Sequence, residues 1–420
     1  MDFPDLFGDD AGLLSLLSDD DHSADEKNPE RLSQFLTSIS RFIDSSFAQA
    51  NYKPVSFFTP GRVNLIGEHI DYNGGLVMPI AITRGIKATF QRRDDLNIYL
   101  SSNTHDRKIG FQSKEIPSKY DQAKEWCNYP IGVMAGLKSL VDKIGGFSTH
   151  YESDLPEGSG LSSSASIEVL TAFILLSQTG KKINLPELAV YCQKVENQFI
   201  GVQCGIMDQF AVANCKKENA LLLDCNTLKF EHIPFELDDY SLLVINSKKP
   251  RTLIKSAYNE RKSESDQALR ILKEAGKLRE QQYLVDAEME DLSVITDPTL
   301  QRRARHVVSE NIRVRHATAA LRLGDLHTFG RLMTASHRSM KEDYEITGIE
   351  MDTLAETAQY IDGCLGARMT GGGFGGCAIA LVRKTAIENF SRILTARYHT
   401  VTGLACEIYE CEAEDGVRLL

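Results

Sequence analysis

One short stretch of the sequence, residues 61–75 (GRVNLIGEHIDYNGG), holds an unusual density of polar groups. Arg62, Glu68, His69 and Asp71 lie there among four glycines, within fifteen positions. Glycine allows a chain to turn tightly and to bring its backbone close to other groups. Charged side chains that converge at such a turn, between two segments with strand patterns, make this stretch the first of three candidates for chemistry.

The second candidate is a loop of small residues, 155–166 (LPEGSGLSSSAS), which runs directly into an apolar helical pattern. The first N–H groups of a helix have no partner inside the helix, and the helix dipole favours negative charge at that end. Such a loop therefore predicts an anion site, with phosphate as the natural ligand. A Gly/Ser loop ending in an N-cap serine is also typical of an ordinary helix start, and the loop alone leaves both interpretations open.

The third candidate is the glycine cluster at 369–382 (MTGGGFGGCAIALV), in which Gly371, Gly373 and Gly376 satisfy the pattern GxGxxG. A dinucleotide-binding fingerprint requires a helix after the glycines. Here a β-rich run follows, which excludes a Rossmann site, and no GxxxxGK[ST] motif of a P-loop occurs. A glycine-rich hairpin is the simpler alternative. Because so many glycines carry a high entropic cost, we favour a close approach of this backbone to another group.

Strand and helix patterns alternate around the three candidate stretches. Strands are predicted at 55–61, 74–83, 96–102, 220–225, 241–247 and 377–383, the last being the final strand. The apolar positions in 163–176 predict a well-buried helix, and a long charge-rich helical pattern covers about 255–340. This mixed order predicts an α+β fold with two lobes.

Length and composition narrow the class of protein. A chain of 420 residues with 42% hydrophobic content can bury a large core and is typical of two domains. It offers no uninterrupted apolar window of about 18 residues and no signal peptide pattern, so we predict a soluble cytoplasmic protein. The nine cysteines show neither a CxxC pair nor zinc-ligand spacing, which predicts reduced and mostly buried thiols.

The net charge of -11 is concentrated at the N-terminus, where residues 1–30 hold ten acidic residues and one lysine. The remaining residues carry a net charge of only -2, so a nucleic-acid groove has no electrostatic support. The acidic extension predicts disorder. Its apolar stretch 11–18 (AGLLSLLS) leaves open the alternative of a short turn that docks on the body.

Taken together, the candidate stretches resemble a known family. Residues 60–75 resemble the signature of the galactokinase family, and 156–166 and 369–376 resemble the second and third motifs of the wider GHMP small-molecule kinase family. The resemblance continues through EWCNYPIGV (125–133), CGIMDQF (204–210), SAYNERKSE (256–264) and ARHVVSE (304–310). It covers nearly the whole chain from about residue 35 onward. One departure is Ile70, which stands where the family usually has threonine.

The resemblance implies a two-lobed GHMP kinase fold of class α+β, with mixed sheets and helices and an active site in the cleft between the lobes. After the acidic N-terminal extension over 1–30, we expect an N-terminal domain over 31–235 that carries the sugar signature and the phosphate loop. A C-terminal domain with the third motif would cover 236–420. The implied reaction is transfer of the γ-phosphoryl group of ATP to the C1 hydroxyl of galactose, which gives galactose 1-phosphate in the Leloir pathway.

Two residues match the catalytic positions of the family. Asp208 matches the aspartate that acts as general base toward the C1 hydroxyl. Arg62 matches the arginine that contacts this aspartate and the transferring phosphate, where it would offset charge in the transition state. A lone aspartate beside Ile206, Met207 and Phe210 is otherwise more often structural. The sequence leaves open whether Asp208 removes the proton early or only orients the hydroxyl.

The resemblance also assigns the sugar pocket. Glu68, His69 and Asp71 would line it, and the two acids would contact the hydroxyls far from C1, including the axial 4-hydroxyl. A site built to hydrogen-bond hydroxyls discriminates strongly, because an epimer leaves buried acceptors unpaired. Gly205 and Tyr258 match further sugar contacts. A lone His69 would otherwise be a structural histidine or a metal ligand, but no other histidine stands at ligand spacing.

For ATP, the resemblance implies contacts from the phosphate loop and from an aromatic pair near the adenine. These residues are Trp126, Tyr129, Gly158, Ser159, Gly160, Leu161, Ser162, Ser163 and Ser164. Ser164 and Glu196 match the ligands of Mg²⁺, an ion that prefers oxygen donors and keeps several waters. Glu196 could instead be a solvated helix acid, and an aromatic pair is more often part of a core.

Rival functions come from within and outside this enzyme class. A related sugar kinase, for example one for N-acetylgalactosamine, shares most of the motifs. Kinases for mevalonate or homoserine share the second and third motifs but lack the opening signature. Some galactokinase-like sugar sensors regulate transcription through a protein partner; the inactive ones have lost residues of the serine-rich loop, which is intact here. We expect a monomer that binds sugar and ATP, without nucleic acid, membrane or identifiable protein partner.

Overall fold

The structure, a computed structural model, describes residues 53–156, 158–249 and 254–420, and the side chains of 254–256 are not described. The acidic extension over 1–30, its predicted disorder and its apolar stretch 11–18 lie outside the described residues. The described part contains strands in three sheets and helices between and after them.

Fourteen strands are present in the described part. They are β1 (Val55–Asn64), β2 (Leu76–Val77), β3 (Pro79–Arg92), β4 (Asn97–Ser102), β5 (Ile109–Gln112), β6 (Phe147–Ser153), β7 (Asn219–Asp224), β8 (Phe230–Pro234), β9 (Tyr240–Asn246), β10 (Cys364–Thr370), β11 (Cys377–Arg383), β12 (Glu407–Cys411), β13 (Ala413–Glu414) and β14 (Arg418–Leu419).

Ten α-helices occur in the same ranges. They are α1 (Asn128–Gly136), α2 (Lys138–Ile144), α3 (Ser163–Ser177), α4 (Leu185–Val195), α5 (Met207–Asn214), α6 (Ile254–Glu274), α7 (Pro298–Arg322), α8 (Leu326–Ser339), α9 (Gly348–Tyr360) and α10 (Ile387–Thr402). Short 3₁₀ turns lie at Asp71–Asn73, Ser113–Glu115, Gln122–Cys127, Leu284–Asp286, Asp291–Val294 and Lys384–Ala386, and π turns at Glu196–Ile200 and Met340–Tyr344.

The first sheet has the order β14-β1-β3-β6-β4-β5, with β13 also paired to β3. Most of its ladders are antiparallel, and β4 and β6 are parallel. Helix α3 packs against β1 and β3 through a broad apolar surface. This packing brings the loop before α3 against the end of β1, where the backbone N–H of Arg62 donates to Leu161 at 3.2 Å.

The second sheet has the order β10-β11-β9-β12 and is antiparallel throughout. Strand β11 lies inside this sheet and is buried along all but its last residue, which explains its unbroken apolar sequence. Helices α8 and α9 pack against β10. The third sheet, β2-β7-β8, lies near the start of β3.

Most of the predicted elements are present. The strand predictions at 55–61, 96–102, 220–225, 241–247 and 377–383 and the helix at 163–176 are confirmed. The segment 74–83 is divided between β2 and β3, and β11 is not the final strand, because the short strands β12, β13 and β14 follow it. The strands β13 and β14 have two residues each and are too short to show the alternation on which strand prediction depends.

The predicted helical stretch over about 255–340 is interrupted, and it forms α6, α7 and α8. Asp297 caps α7 by accepting from the N–H groups of Thr299 and Leu300, and Pro298 follows it at the first helical position. Gly324, with φ +67°, lies between α7 and α8. These breaks let α7 turn back beneath the loop that follows β1.

The division of the chain at 235/236 stays a prediction. Strands β13 and β14 come from the end of the chain but pair with β3 and β1. The C-terminal segment therefore contributes to the sheet that carries the first motif.

Candidate active site

Arg62 lies near the end of β1 and is almost completely buried, at 3% exposure. Its Nε donates to Oδ1 of Asp208 at 2.9 Å and its Nη2 donates to Oδ2 at 2.8 Å. Its Nη1 donates to the carbonyl of Gly160 at 2.7 Å. The guanidinium therefore joins the first motif both to the phosphate-loop candidate and to the candidate base.

Asp208 lies in the first turn of α5. Besides the two bonds from Arg62, its Oδ2 accepts a hydrogen bond from the hydroxyl of Ser162 at 2.7 Å. Its side chain nevertheless keeps 28% of its surface exposed. The carboxylate is thus fixed from two sides and open on another, which is the geometry that a proton acceptor needs.

The second motif forms a tight loop that ends at the start of α3. Gly158, Gly160 and Ser162 have φ values of +65°, +75° and +63°. Ser162 occupies the N-cap position of α3 but makes no side-chain capping bond, since its hydroxyl points to Asp208. The first N–H groups of α3 therefore keep their capacity to bind an anion.

The other predicted residues of this loop differ in exposure. Ser159 and Leu161 are buried, Ser163 is exposed and Ser164 is partly buried. The exposed and partly buried serines both lie in the first turn of α3.

Glu196 directly follows α4, as the first residue of the π turn Glu196–Ile200, and is buried. Burial and the neighbouring charge of Asp208 raise the pKa of Glu196 to about 7, against hydrogen bonds from Ser164 and others that lower it. Gln209 donates to Glu196 Oε2 at 2.5 Å. Ser164 and Glu196, which were predicted as a pair of metal ligands, are thus neighbours. Their oxygen donors fit the chemistry of Mg²⁺.

Two residues beside Glu196 were not identified from the sequence. Glu168 is completely buried on α3, and burial followed by the charge of Glu196 raises its pKa well above the ordinary value. Gln209, which directly follows Asp208 in the chain, is also buried and orients Glu196. The position of Gln209 directly after the predicted base Asp208 is the one sequence feature that could have indicated its role.

Glu68 has little exposure, at 1%, and both oxygens of its carboxylate accept hydrogen bonds from protein groups. Oε1 accepts from the N–H of Gly371 at 2.5 Å and lies 3.6 Å from Nη2 of Arg368. Oε2 accepts from the side-chain amide of Asn64. Burial raises the pKa of Glu68, against the charge of Arg368, which lowers it. Glu68 thus connects the first motif to the third.

Both ring nitrogens of His69 also have partners. Nε2 lies 3.2 Å from the carbonyl of Gly372, which can only accept, so Nε2 carries the hydrogen. Nδ1 therefore accepts from the Tyr72 hydroxyl at 2.7 Å, and that hydroxyl in turn accepts from Tyr344 at 2.9 Å. Burial lowers the pKa of His69 to about 3, so the ring is neutral. His69 is a second connection between the first and third motifs.

Asp71, Gly205 and Tyr258 meet beside this connection. A Cβ atom on Gly205 would lie 2.0 Å from Oδ2 of Asp71, so only glycine permits this approach. The ring of Tyr258 lies 5.0 Å from that of His69, centroid to centroid. Asp71 remains partly exposed. Burial and the charges of Asp208 and Glu68 raise its pKa to about 7.

The third motif connects the antiparallel strands β10 and β11, so it is a hairpin connection that also approaches other groups closely. Gly371 has φ +84°, and a Cβ there would lie 3.1 Å from the carbonyl of Gly160. A Cβ on Gly373 would lie 2.4 Å from the carbonyl of Ile346. The three motifs predicted separately therefore meet around Arg62 and Glu68.

The two aromatic residues predicted near adenine differ in burial and in their neighbours. Trp126 is largely buried, its indole N–H donates to the carbonyl of Arg107 at 3.0 Å, and its ring stacks on His105. Tyr129 is partly buried, and burial together with the charges of Glu196 and Glu168 raises its pKa. Tyr129 thus lies on the side of the metal-ligand candidates, while the adenine contact of both residues stays a prediction.

His337, Asp352 and Glu356 bring their potential ligand atoms within 4.8 Å of one another. The N–H of Met369 donates to Nδ1 of His337 at 3.3 Å, so Nε2, which faces Asp352, carries the hydrogen. Lys341 also forms ion pairs with both acids. These contacts indicate a salt-bridge cluster rather than a metal site.

None of the described helices combines the length and the apolar character needed to cross a membrane.

Comparisons with known proteins agree with the arrangement of the motifs. Three family signatures match: the galactokinase galactose-binding signature over residues 45–92, the GHMP kinase N-terminal domain over 128–216 and the GHMP kinase C-terminal domain over 317–400. A galactokinase of Clostridium beijerinckii is 43% identical over 365 residues, 86% of this chain and 94% of the relative. A galactokinase of Staphylococcus carnosus is 44% identical over 390 residues, 92% and 99% of the two chains.

A solved structure supports the same assignment. The galactokinase of Lactococcus lactis, crystallised in complex with galactose, superposes with a TM-score of 0.82 at 39% identity. The match covers 92% of this chain and all of that one. The predicted two-lobed GHMP kinase fold and the predicted ATP-dependent sugar kinase are thereby confirmed. This chain belongs to the galactokinase family of the GHMP kinases.

Proposed function

We propose that this protein transfers the γ-phosphoryl group of ATP to the C1 hydroxyl of D-galactose and releases galactose 1-phosphate and ADP. The observation that carries the proposal is the arrangement around Asp208. Arg62 of the first motif and Ser162 of the second both donate to this carboxylate. Phosphoryl transfer depends mainly on positioning and on charge stabilisation, and this arrangement supplies both.

In the proposed reaction, Asp208 accepts the proton of the C1 hydroxyl while the C1 oxygen forms its bond to the γ-phosphorus. The bond between the γ-phosphorus and the bridging oxygen of ATP breaks, and ADP leaves with that electron pair. Arg62 lies between Asp208 and the carbonyl of Gly160, so its positive charge faces the region between base and phosphate loop. A cation there stabilises the charge that develops on the transferring group.

The nucleotide would be held by the second motif. The free N–H groups at the start of α3 suit the phosphates of ATP, and Ser163 and Ser164 extend this surface. Ser164 and Glu196 would hold Mg²⁺, which neutralises charge on the β- and γ-phosphates when bound. Trp126 and Tyr129 remain the proposed adenine contacts. Gly158, Ser159, Gly160 and Leu161 would shape the loop.

Galactose would contact the partly exposed Asp71 and Tyr258, beside the buried Gly205. Asp71 is well suited to accept hydrogen bonds from sugar hydroxyls because its carboxylate is partly exposed and lies against a glycine. Glu68 and His69 already bond to the third motif. We therefore propose that they support the pocket wall and that Asp71 contributes most of the hydroxyl recognition. A monomeric state and a cytoplasmic location remain predictions from the sequence.

A substrate panel tests the proposed function. Purified protein is incubated with Mg²⁺, ATP and, separately, galactose, glucose, N-acetylgalactosamine, arabinose and mevalonate, and the phosphate position in each product is assigned by NMR. We expect turnover of galactose with phosphate at C1. A preference for N-acetylgalactosamine would change the substrate assignment. Galactose binding without turnover would instead favour a sugar sensor.

A further inference from the structure

Helix α7 lies directly beneath the sugar-signature loop. Its residue Glu310, fully buried at 0% exposure, points its carboxylate at the loop backbone. Oε1 accepts from the N–H of Gly67 at 2.9 Å and lies 3.4 Å from the N–H of Glu68. A buried carboxylate that binds two consecutive backbone N–H groups fixes the path of the chain at that point.

The position of Glu310 is itself fixed by charged and polar neighbours. Ser336 of α8 donates to Oε1 at 2.6 Å, and Arg313 donates to Oε2 at 2.6 Å. Burial alone would raise the pKa of Glu310, but the charges of Arg313 and Arg368 outweigh it and hold the pKa well below the ordinary value. Glu310 is therefore a rigid anionic support.

His306 holds the same loop from one helical turn earlier on α7. Its Nε2 lies 3.0 Å from the carbonyl of Glu68, which can only accept, so the ring donates this bond. Nδ1 lies 3.0 Å from the hydroxyl of Ser339. Residues four apart on a helix lie on one face. His306 and Glu310 therefore both face Glu68, where Glu310 accepts from its backbone N–H and His306 donates to its backbone carbonyl.

The loop has backbone conformations that need such support. Gly67 has φ +101°, and His69, which is not glycine, has φ +58°. A Cβ on Gly67 would lie 2.7 Å from the carbonyl of Leu76 and 3.1 Å from Val314 of α7. Left-handed conformations at non-glycine residues persist only where the surroundings hold them. In this protein, His306 and Glu310 of α7 bond to the backbone of the loop and help to hold these conformations.

We propose that Glu310 and His306 are positioning residues for galactose binding. By fixing the backbone of residues 67 and 68, they direct the Glu68 carboxylate to Gly371 and set the position of Asp71, three residues further along the chain. This inference rests on the proposed role of Asp71 in sugar binding. It gives a function to the family-like stretch 304–310, in which His306 and Glu310 bond to the sugar-signature loop.

The test compares three variants with the wild-type protein. Glu310→Gln removes the anionic acceptor, His306→Leu removes the donor to Glu68, and His306→Gln retains an amide N–H donor of similar reach. Thr318→Val is the matched control, because Thr318 is buried on the same helix and its hydroxyl donates to the carbonyl of Val314 within that helix. The KM values for galactose and ATP, kcat and the melting temperature are measured for each.

For Glu310→Gln and His306→Leu we expect the galactose KM to rise about 10- to 100-fold while the ATP KM stays within about twofold, because misplacement of a binding group has effects of this size. His306→Gln should recover most of the galactose affinity, and Thr318→Val should match the wild type. If Glu310→Gln does not fold, the two His306 variants decide the question.

An unchanged galactose KM in folded Glu310→Gln or His306→Leu, or equal losses for both substrates, would overturn the inference. So would a His306→Gln variant as impaired as His306→Leu. A wild-type protein that does not phosphorylate galactose would instead overturn the proposed function, which keeps the two failures distinct.

Discussion

Arg62 and Asp208 form a paired hydrogen bond in which two nitrogens of the guanidinium donate to the two oxygens of the carboxylate, at 2.9 and 2.8 Å. The third nitrogen of the same guanidinium donates to Gly160 at 2.7 Å. A planar guanidinium makes this arrangement with a fixed geometry. The position of the proposed base relative to the phosphate loop is therefore set by one side chain.

Arg62→Lys should lower kcat strongly while the protein remains folded. Lysine keeps the positive charge but cannot make the paired bonds, so Asp208 and the Gly160 carbonyl would no longer be linked. We expect a loss of about 10²–10³-fold in kcat, similar to the loss of one transition-state donor. Steady-state kinetics measures it. The control is Arg84→Lys, because Arg84 is partly exposed and donates to the carbonyl of Asp154. Near-normal turnover by Arg62→Lys would contradict the role of the paired hydrogen bond.

Galactose binding should release protons near pH 7. Burial and the charges of Asp208 and Glu68 raise the pKa of Asp71 to about 7, so part of this carboxyl is protonated at that pH in the free protein. Hydrogen bonds from sugar hydroxyls favour the ionised form and lower the pKa on binding. Binding should therefore release a fraction of a proton at pH 7, and affinity should weaken as pH falls from 8 to 6.

Calorimetric titration with galactose in two buffers of different ionisation enthalpy measures this release. In Asp71→Asn the release should disappear and the galactose affinity should fall, while ATP binding stays close to that of the wild type. The same proton release in wild type and variant, or an equal loss of sugar and nucleotide binding, would show that Asp71 does not recognise the sugar.

Glu196→Gln should raise the Mg²⁺ concentration needed for activity. The substitution keeps the size of the side chain but removes the charge that attracts a hard cation. Direct Mn²⁺ binding in the presence of ADP, followed by electron paramagnetic resonance, should weaken by about 10-fold or more. Glu187→Gln, in the first turn of the preceding helix α4, is the control. Unchanged Mn²⁺ binding by Glu196→Gln would remove Glu196 from the proposed metal ligands.

The sequence predicted the three motifs and much of the framework around them. The strand at 55–61 and the helix at 163–176 have strong local patterns, and both are present in the structure. The roles of Arg62 and Asp208 were assigned from the family resemblance, and the phosphate loop was indicated both by its residue types and by that resemblance. Their convergence was implied by the family resemblance, and no local pattern indicated it.

The support of the sugar loop was not predictable in the same way. Glu310 bonds a backbone N–H that is 243 positions earlier in the chain, and Glu68 bonds Gly371 at a separation of 303 positions. Contacts at such distances depend on how α7 and the third motif pack, and no local pattern encodes them. The sequence therefore did not indicate the bonds from Asn64 and Gly371 to the Glu68 carboxylate, and the contact of Glu68 with the sugar stays a prediction.

The most direct measurement of the central claim is the rate of galactose 1-phosphate formation by Asp208→Asn. Asparagine retains the size of the side chain but cannot accept the C1 proton, so kcat should fall by about 10²–10⁴-fold. ATP and galactose should still bind, and Asp325→Asn, at the exposed cap of α8, should behave as the wild type. Turnover close to the wild-type rate in Asp208→Asn would contradict the assignment of Asp208 as the base.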